Sequence, residues 1–508
     1  MPVSMMLKLL MDHISFNSIL GGNEKMKLME KFADQVIASG TYEPLDRIYV
    51  LNKIRGFVGD EDVEAKDDEP VVSQLVDLAV KRGKIDDGQT PKEILNDQLY
   101  DLMTPTPSVV NHKFWEKYQQ SPSTATDWFY NLCTSNDYVK VAAIKKNVVF
   151  DKPTKYGNLE ITINLSKPEK DPKAIAAAAH DTAKKYPQCA LCMENEGYKG
   201  RLGQAARSNH RIIRITVGGQ QWGFQYSPYA YFHEHCIFLD SKHEPMEINR
   251  QTLINLVEIE KQFPDYFVGS NADLPIVGGS MLAHEHYQGG KHIFPMMKAS
   301  IKKELYFDEY PAVNAGIVNW PMSDIRLTST DTEQLIDLGT HIIKVWDQYS
   351  DESLDIKAFD GETRHHTVTP IMHREGDKFV LDLVLRDNNI NDEYPLGIFH
   401  PHEKLWHIKK ENIGLIEVMG RAILPARLKD ELNEVKKFWL GAENKIADSH
   451  LPWAKEVQSR INITADNVDE VMEQELANVF ANVLENAGVF KDDAAGNEGW
   501  QRFVDALK

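Results

Sequence analysis

Gly278-Gly279-Ser280-Met281-Leu282-Ala283-His284-Glu285-His286-Tyr287-Gln288-Gly289-Gly290 sets two histidines and a glutamine at alternate positions between two glycine pairs. In an extended chain, that period of two places His284, His286 and Gln288 on one face of a strand. The glycines let a backbone or a ligand come close at either end. At neutral pH an uncharged imidazole is a competent nucleophile toward phosphorus, provided its other ring nitrogen carries the proton and an acceptor holds it. A glutamine on the same face can donate to a nonbridging oxygen as charge builds there. The spacing equally admits His284 and His286 as a pair of metal ligands, and alternation alone does not separate the two readings.

Upstream, Cys189-Ala190-Leu191-Cys192 is a single C-x-x-C. A redox pair of this kind opens a helix in a thioredoxin-like unit, for which the surrounding sequence gives little support; the other use is half of a zinc site. Two more ligands are then needed, and His235, His243 and His284 are the candidates. His243 precedes Glu244-Pro245, a fixed turn position suited to a ligand, whereas His235 sits inside a strand pattern and is as readily a packed or substrate-facing side chain. Arg201, Arg207, Arg211 and Arg214 crowd one short segment around Asn209-His210, and guanidinium groups offer phosphate planar, paired donors. Lys167 and Lys170 lie in a polar loop that leaves a strand and could also reach a phosphate, against the plainer reading of a solvated turn.

The chain around these residues has 508 positions, enough for about two to four domains, and an ordinary apolar content of 42%. A formal charge of −19 argues against a duplex nucleic-acid groove or an anionic membrane surface as partner, while leaving room for local cationic clusters that hold a nucleotide. Four cysteines are too few for a disulfide scaffold of this size, which points to a reducing, cytoplasmic setting. No apolar run approaches the roughly eighteen residues of a membrane span. The apolar patch at residues 5–11 is interrupted by Lys8 and lacks a cleavage site of signal-peptide type, so residues 1–26 read as a disordered leader.

Residues 27–147 carry helical spacing, with Pro91 near a helix start and aromatic clusters at residues 114–118 and 128–130 that read as core. Near residue 148 the period changes. Strand patterns fall at 158–165, 211–217, 222–226, 230–240 and 266–269, with a helix at 249–263. A comparable order recurs downstream, with strands at 323–327, 366–372 and 379–385, a helix at 332–349, and a second His-x-His at His400-Pro401-His402. Helical spacing returns at 415–424, 427–440 and 468–484, and residues 500–507 read as a short docked helix.

With these residues in view, the chain resembles the galactose-1-phosphate uridylyltransferases of the histidine-triad superfamily, in their second, mainly Gram-positive bacterial branch. The resemblance rests on His284-x-His286-x-Gln288, Ser280 and the upstream C-x-x-C. Further blocks follow in order: residues 156–170, Asn209-His210-Arg211-Ile212-Ile213, Phe224-Gln225-Tyr226-Ser227-Pro228-Tyr229, Gly269-Ser270-Asn271-Ala272-Asp273-Leu274-Pro275 and Phe399-His400-Pro401-His402. It implies transfer of UMP from UDP-glucose to galactose 1-phosphate by double displacement, with His286 as nucleophile, Gln288 and Ser280 on the phosphates, and Asn271 near the nucleotide. His284 would fall on a metal-ligand position completed by Cys189, Cys192 and His243, a structural zinc site, with no organic cofactor. His365 or His366, with His400 and His402, would fall where the better-studied branch has a second metal. A homodimer acting on a UDP-sugar and a hexose 1-phosphate, without nucleic acid or membrane, is the family expectation. Glu285 stands where that branch has proline, Ser280 lies four residues before His284 rather than three, and the helical N-terminal region has no counterpart there.

The fold class this implies is α/β (α+β): two histidine-triad-like units with largely antiparallel sheets, at 148–310 and 311–440, between helical regions at 27–147 and 441–508. The rival readings are a related nucleotidyltransferase or phosphorylase using another nucleotide, a metal-dependent hydrolase, and a non-catalytic nucleotide-binding module.

Overall fold

A computed structural model of the chain describes residues 26–166, 186–279 and 281–508. The expected leader, Lys167, Lys170 and Ser280 lie outside the described residues. The chain forms two compact units: one runs to Pro105 and takes in Lys199–Asn209, and the other comprises Thr106–Tyr198 and His210–Lys508. The first unit thus ends earlier in the chain than residue 147, because helices Pro107–Tyr118 and Pro122–Ser135 bury Val110, Phe114, Ala125 and Phe129 in the core of the second.

The first unit is helical, with Leu28–Ala38, Arg47–Val58, Val71–Lys81 and Gln89–Asp101 closing on one core. Helix Val71–Lys81 buries Val71, Val72, Leu75, Val76 and Ala79, an apolar stripe at helical spacing. Arg82 ends this helix and donates to the Val58 carbonyl at 2.9 Å, putting a cation on the C-terminal end of a neighbouring helix, where the dipole favours it.

The second unit is built on strands β1 (Val148–Thr154), β2 (Gly157–Ile163), β3 (Ile213–Val217), β4 (Gln220–Tyr226), β5 (Cys236–Asp240), β6 (Phe267–Gly269), β7 (His286–Gly290), β8 (Ile301–Leu305), β9 (Asn314–Val318), β10 (Asp324–Ser329), the short pair β11 (Phe359–Asp360) and β12 (Thr363–Arg364), β13 (His366–Glu375), β14 (Lys378–Asp387) and β15 (Arg421–Leu424). Among the described residues, ten of these form one sheet in the order β3-β4-β5-β7-β6-β13-β14-β10-β9-β8, every neighbouring pair antiparallel. The sheet is one plan used twice. Each half has a three-strand meander, then a helix (Arg250–Gln262 or Thr332–Trp346), then two strands of which the second sits beside the meander. Edge strands β6 and β13 join the halves, with Gly269 opposite Ile371. Both helices start on a side-chain cap, Asn249 accepting from the Gln251 N–H at 2.7 Å and Asp331 from the Glu333 N–H at 3.0 Å.

One face of the sheet packs Phe224, Phe238, Tyr287, Leu327, Leu381 and Leu383 against those helices. The opposite face meets Leu159, Ile161, Phe294, Leu415 and Ala422, from the smaller sheet β1-β2-β15 and its flanking segments. His286 and Gln288 belong to this second face, since they alternate with Tyr287.

Three expectations are corrected here. Residues 415–424 are not one helix: Leu415–Val418 makes a single turn, Gly420 takes a φ of +102°, and Arg421–Leu424 becomes β15, parallel to β2. A Cβ at Gly420 would sit 2.8 Å from the Trp320 ring and 2.9 Å from Pro295, so only glycine fits this break. Strand character at 230–240 is confined to Cys236–Asp240. The strand of the opening stretch begins at His286, and His284 lies in the bend before it.

Candidate active site

β7 is held on both sides. Leu239 and Ile237 of β5 lie opposite His286 and Gln288, and Gly269 of β6 lies opposite Gln288. On the buried face, Tyr287 stacks on Trp222 with ring centroids 5.0 Å apart, and its hydroxyl accepts from Asn255 at 3.0 Å. The glycine pairs serve close neighbours: a Cβ on Gly290, at φ +147°, would lie 2.6 Å from the Glu234 carbonyl, and one on Gly279 would lie 2.8 Å from the Asn271 amide nitrogen.

His286 is 6% exposed, and its Nδ1 donates to the His284 carbonyl at 2.7 Å. Burial, helped by the neighbouring His284 and opposed by that bond, pushes its imidazole down to about 4, so the ring is neutral near pH 7. Among the described residues Nε2 has no hydrogen-bond partner, which leaves its lone pair uncommitted. Two residues on, Gln288 Oε1 lies 3.0 Å from His235 Nε2, while its amide nitrogen makes no bond among the described residues. Asn271 accepts from the Leu415 N–H at 2.9 Å, tying the β6 loop to the single helical turn that precedes β15.

Beside this strand, Cys189, Cys192, His243 and His284 bring one ligand atom each to within 4.8 Å of one another. Cys189 Sγ and Cys192 Sγ are 3.3 Å apart, Cys189 Sγ is 3.2 Å from His284 Nδ1, and Cys192 Sγ is 3.2 Å from His243 Nδ1. Two thiols and two ring nitrogens this close together are the donor set of a structural zinc site. The supporting bonds fit such use. Asn195 donates to the Cys189 and Cys192 carbonyls at 2.7 and 2.9 Å, Leu191 N–H points at Cys189 Sγ at 3.3 Å, and His284 Nε2 faces the Asp240 carbonyl at 2.9 Å. Burial opposes ionisation of Cys189, but the bonds to His284, Leu191 and Cys192 outweigh it and hold the thiol below its ordinary value. His284 therefore leaves the strand's alternation: its side chain faces the cysteines and its carbonyl holds the proton of His286.

Arg214, a cationic candidate of the second unit, stands apart from His286. Arg214 pairs with Glu196 at 2.5 Å and lies in the same cross-strand row as His286 but three strands away, about 14 Å by strand spacing. Arg211 is buried and donates to the His210 carbonyl, and Arg207 donates to the Ala206 carbonyl within the first unit. Nor do His366, His400 and His402 assemble a second ligand cluster among the described residues. His366 has both nitrogens occupied, by the Trp346 carbonyl at 2.7 Å and Asp387 at 3.0 Å, and stacks on the Trp346 ring. His400 Nδ1 faces the Pro401 carbonyl and His402 Nε2 the Ile398 carbonyl. His365 bonds Asn388 at 2.8 Å.

Two residues that the sequence did not single out for this face do reach it. Arg421 of β15 pairs with Glu160 at 3.2 Å and bonds Thr162, and its charge is felt at His235. Arg386 of β14 is buried, donates to Thr369 and to the Ile413 carbonyl, and is pushed down to about 10 by that burial. Neither carried a signal in the sequence, where residues 415–424 have helical spacing and the strand pattern at 379–385 stops one residue before Arg386.

With this geometry in place, comparison with known proteins is specific. Residues 40–245 match the family model of the galactose-1-phosphate uridyl transferase N-terminal domain, and residues 258–455 that of its C-terminal domain. A galactose-1-phosphate uridylyltransferase of Lactobacillus helveticus is 70% identical over 483 residues, covering 95% of this chain and 99% of the relative. Those of Pediococcus pentosaceus and Streptococcus thermophilus are 59% and 54% identical, covering 95% and 94% of this chain and 100% and 98% of the relatives. No described helix is long and apolar enough to cross a membrane.

Proposed function

Because the chain belongs to the galactose-1-phosphate uridyl transferase family, we propose that it transfers UMP from UDP-glucose to galactose 1-phosphate through a uridylyl group carried on His286. The observation that carries this reading is the state of His286, a neutral ring whose Nδ1 proton is held by the His284 carbonyl while Nε2 stays open. Nε2 attacks the α-phosphorus of UDP-glucose, and the bond from that phosphorus to the bridging oxygen breaks, its electron pair leaving with glucose 1-phosphate. Galactose 1-phosphate then attacks the same phosphorus, the P–N bond breaks, and its pair returns to Nε2. Nδ1 keeps its proton throughout, so the carbonyl of His284 stabilises the positive charge that builds on the ring. The two sugar nucleotides are nearly equal donors, so the enzyme's work lies in positioning and charge neutralisation. Gln288 donates from its free amide nitrogen to a nonbridging oxygen; Ser280 gives a further hydrogen bond, Asn271 lies near the nucleotide, and Lys167 and Lys170 serve the phosphates.

We assign zinc to Cys189, Cys192, His243 and His284, whose donor atoms and supporting bonds suit it. When bound, the metal supplies a rigid tetrahedral anchor rather than reaction chemistry. What the chain gains is the position of the His284 backbone, and hence the orientation of the nucleophile. The reading includes a cytoplasmic enzyme, in keeping with four cysteines that form no disulfide, and a homodimer.

Labelling tests it. After incubation with UDP-glucose labelled in the α-phosphate and isolation at alkaline pH, where phosphohistidine-type bonds survive, the native chain is expected to retain label and His286→Ala to retain none. An unlabelled native chain whose activity is abolished by chelators alone would identify a metal-dependent hydrolase instead. ADP-glucose in parallel reads the base preference.

A further inference from the structure

Gln288 can turn either end of its amide toward a substrate, and only the NH2 end can donate to a phosphoryl oxygen. Which end is presented depends on what holds the other. His235 Nε2 lies 3.0 Å from Gln288 Oε1. The His235 ring is 4% exposed; burial, opposed by the bond to Gln288 and helped by the charge of Arg421, pushes it down to about 4, so it is neutral and carries one N–H. Its Nδ1 is enclosed without a hydrogen-bond partner among the described residues. A proton on Nδ1 would therefore be a buried donor with nothing to receive it, the rarer and costlier kind of orphan. The proton belongs on Nε2, facing an amide oxygen.

The ring is fixed from several sides. It lies against Tyr231 and Phe232, with ring centroids 5.6 and 4.6 Å away. Its carbonyl accepts from the Ser227 N–H at 2.8 Å, and the next residue starts β5, the strand that pairs Ile237 with Gln288. Before it, Glu234 adopts a φ of +55°, a conformation that non-glycine residues keep only when their surroundings enforce it. Here they do. The Glu234 carboxylate is buried and receives the Tyr266 hydroxyl, with Lys291 at 3.4 Å and His233 at 3.1 Å. Tyr266 in turn meets the Tyr226 hydroxyl at 2.9 Å, deep in the core beneath the sheet. Glu234 thus pins the turn from below, and His235 emerges from it at the height of Gln288.

We propose that His235 is a positioning residue for Gln288: by taking the amide oxygen it turns the NH2 group toward the phosphoryl oxygens, and the Glu234 anchor keeps the ring where it does so. This rests on the reading that His286 carries the uridylyl group.

A double-mutant cycle with Gln288 tests it in the full-length protein. His235→Phe keeps a flat ring and removes the donor, and His235→Gln restores an N–H. With UDP-glucose and galactose 1-phosphate, His235→Phe is expected to lower kcat by roughly 10- to 100-fold, part of what deleting a donor to the developing charge costs, with KM changed by less than about twofold. His235→Gln should recover part of that loss. In a Gln288→Ala background, His235→Phe should cost nothing further, because nothing is left to orient. A loss equal with and without Gln288 would assign His235 to general packing and overturn the proposal, as would a kcat like that of the native chain. Should His235→Phe fail to fold, the cycle is run with His235→Gln and His235→Asn, which must lose less activity alone than Gln288→Ala and add nothing to it. A native chain that takes no label from UDP-glucose overturns the uridylyl reading and this one together; a labelled native chain with additive losses overturns only this one.

Discussion

In the first half of the ten-stranded sheet, β7 lies between β5 and β6 and turns His286 and Gln288 to the face opposite the helices. In the second half, β14 lies between β10 and β13 and turns Asp382, Val384 and Arg386 to that same face. The plan is shared, but the polar groups are used differently. His286 Nε2 and the Gln288 amide nitrogen stay open among the described residues, each fixed by its other end. Arg326 of β10, by contrast, pairs with Asp382 through Nε at 2.6 Å and Nη2 at 3.1 Å, and gives its other donors to the carbonyls of Met296 and Ala299, each at 3.0 Å. Those carbonyls belong to the segment that leaves β7. One half therefore keeps a ring nitrogen and an amide nitrogen available to a substrate, and the other spends Arg326 and Asp382 on clamping the chain coming out of the reactive strand.

Equally deep substitutions in the two halves should therefore fail in different ways. His286→Ala is expected to lower kcat by on the order of 10⁵-fold or more, the scale of removing a nucleophile, while the variant unfolds like the native chain. Arg326→Met leaves Asp382 buried beside Asp324 without its partner and is expected to cost about 3–5 kcal/mol of stability in urea denaturation, with labelling intact under conditions where it is folded. Full stability with lost labelling in Arg326→Met would make the second half part of the reactive site and break the comparison. A smaller effect is expected at the metal cluster. Cys192→Ala should reduce bound zinc and lower kcat by roughly 10- to 100-fold, because the His284 carbonyl that holds the nucleophile's proton loses its anchor. Native activity in a zinc-free Cys192→Ala protein would detach the cluster from the orientation of His286.

Much of this plan could be read in the sequence where the signal is local. The helices at 250–262 and 332–346 and the strands β13 and β14 follow from apolar spacing, and the unusual density of His, Gln and Gly marked residues 278–290. What was not legible depends on partners far along the chain. His284 fits the strand alternation, yet its ring turns to Cys189, a partner 95 residues away. The segment 415–424 has spacing that suits helix or strand, and β2, some 260 residues upstream, makes its second part a strand. The arginines at 201–214 look like one anion site because sequence does not say which carboxylate each will meet; Arg214 met Glu196. His235 read as a candidate zinc ligand or as a packed or substrate-facing side chain, and its bond to Gln288 was hidden because only the β5–β7 register creates it.

The smallest expected effect sharpens the comparison through pH. Burial, reinforced by the Asp382 carboxylate and opposed by Arg326, raises Asp324 well above the ordinary carboxylate range. A carboxyl raised on folding contributes stability that is complete below its unfolded value, near 3.9, and lost as pH climbs toward the folded value. Asparagine, close in shape to the protonated carboxyl, loses nothing on that climb. Asp324→Asn is therefore expected to match the native chain near pH 4 and to exceed it by about 1 kcal/mol at pH 8, read from urea midpoints at the two values. His235 and His286 act with the opposite sign: both are lowered on folding to about 4, so the stability they hold is present above about 6.5 and lost as pH falls toward 4. Equal midpoints for Asp324→Asn and the native chain at both pH values would show that Asp324 ionises at no cost, and that the second half is less closed to water than its buried Arg326–Asp382 pair implies.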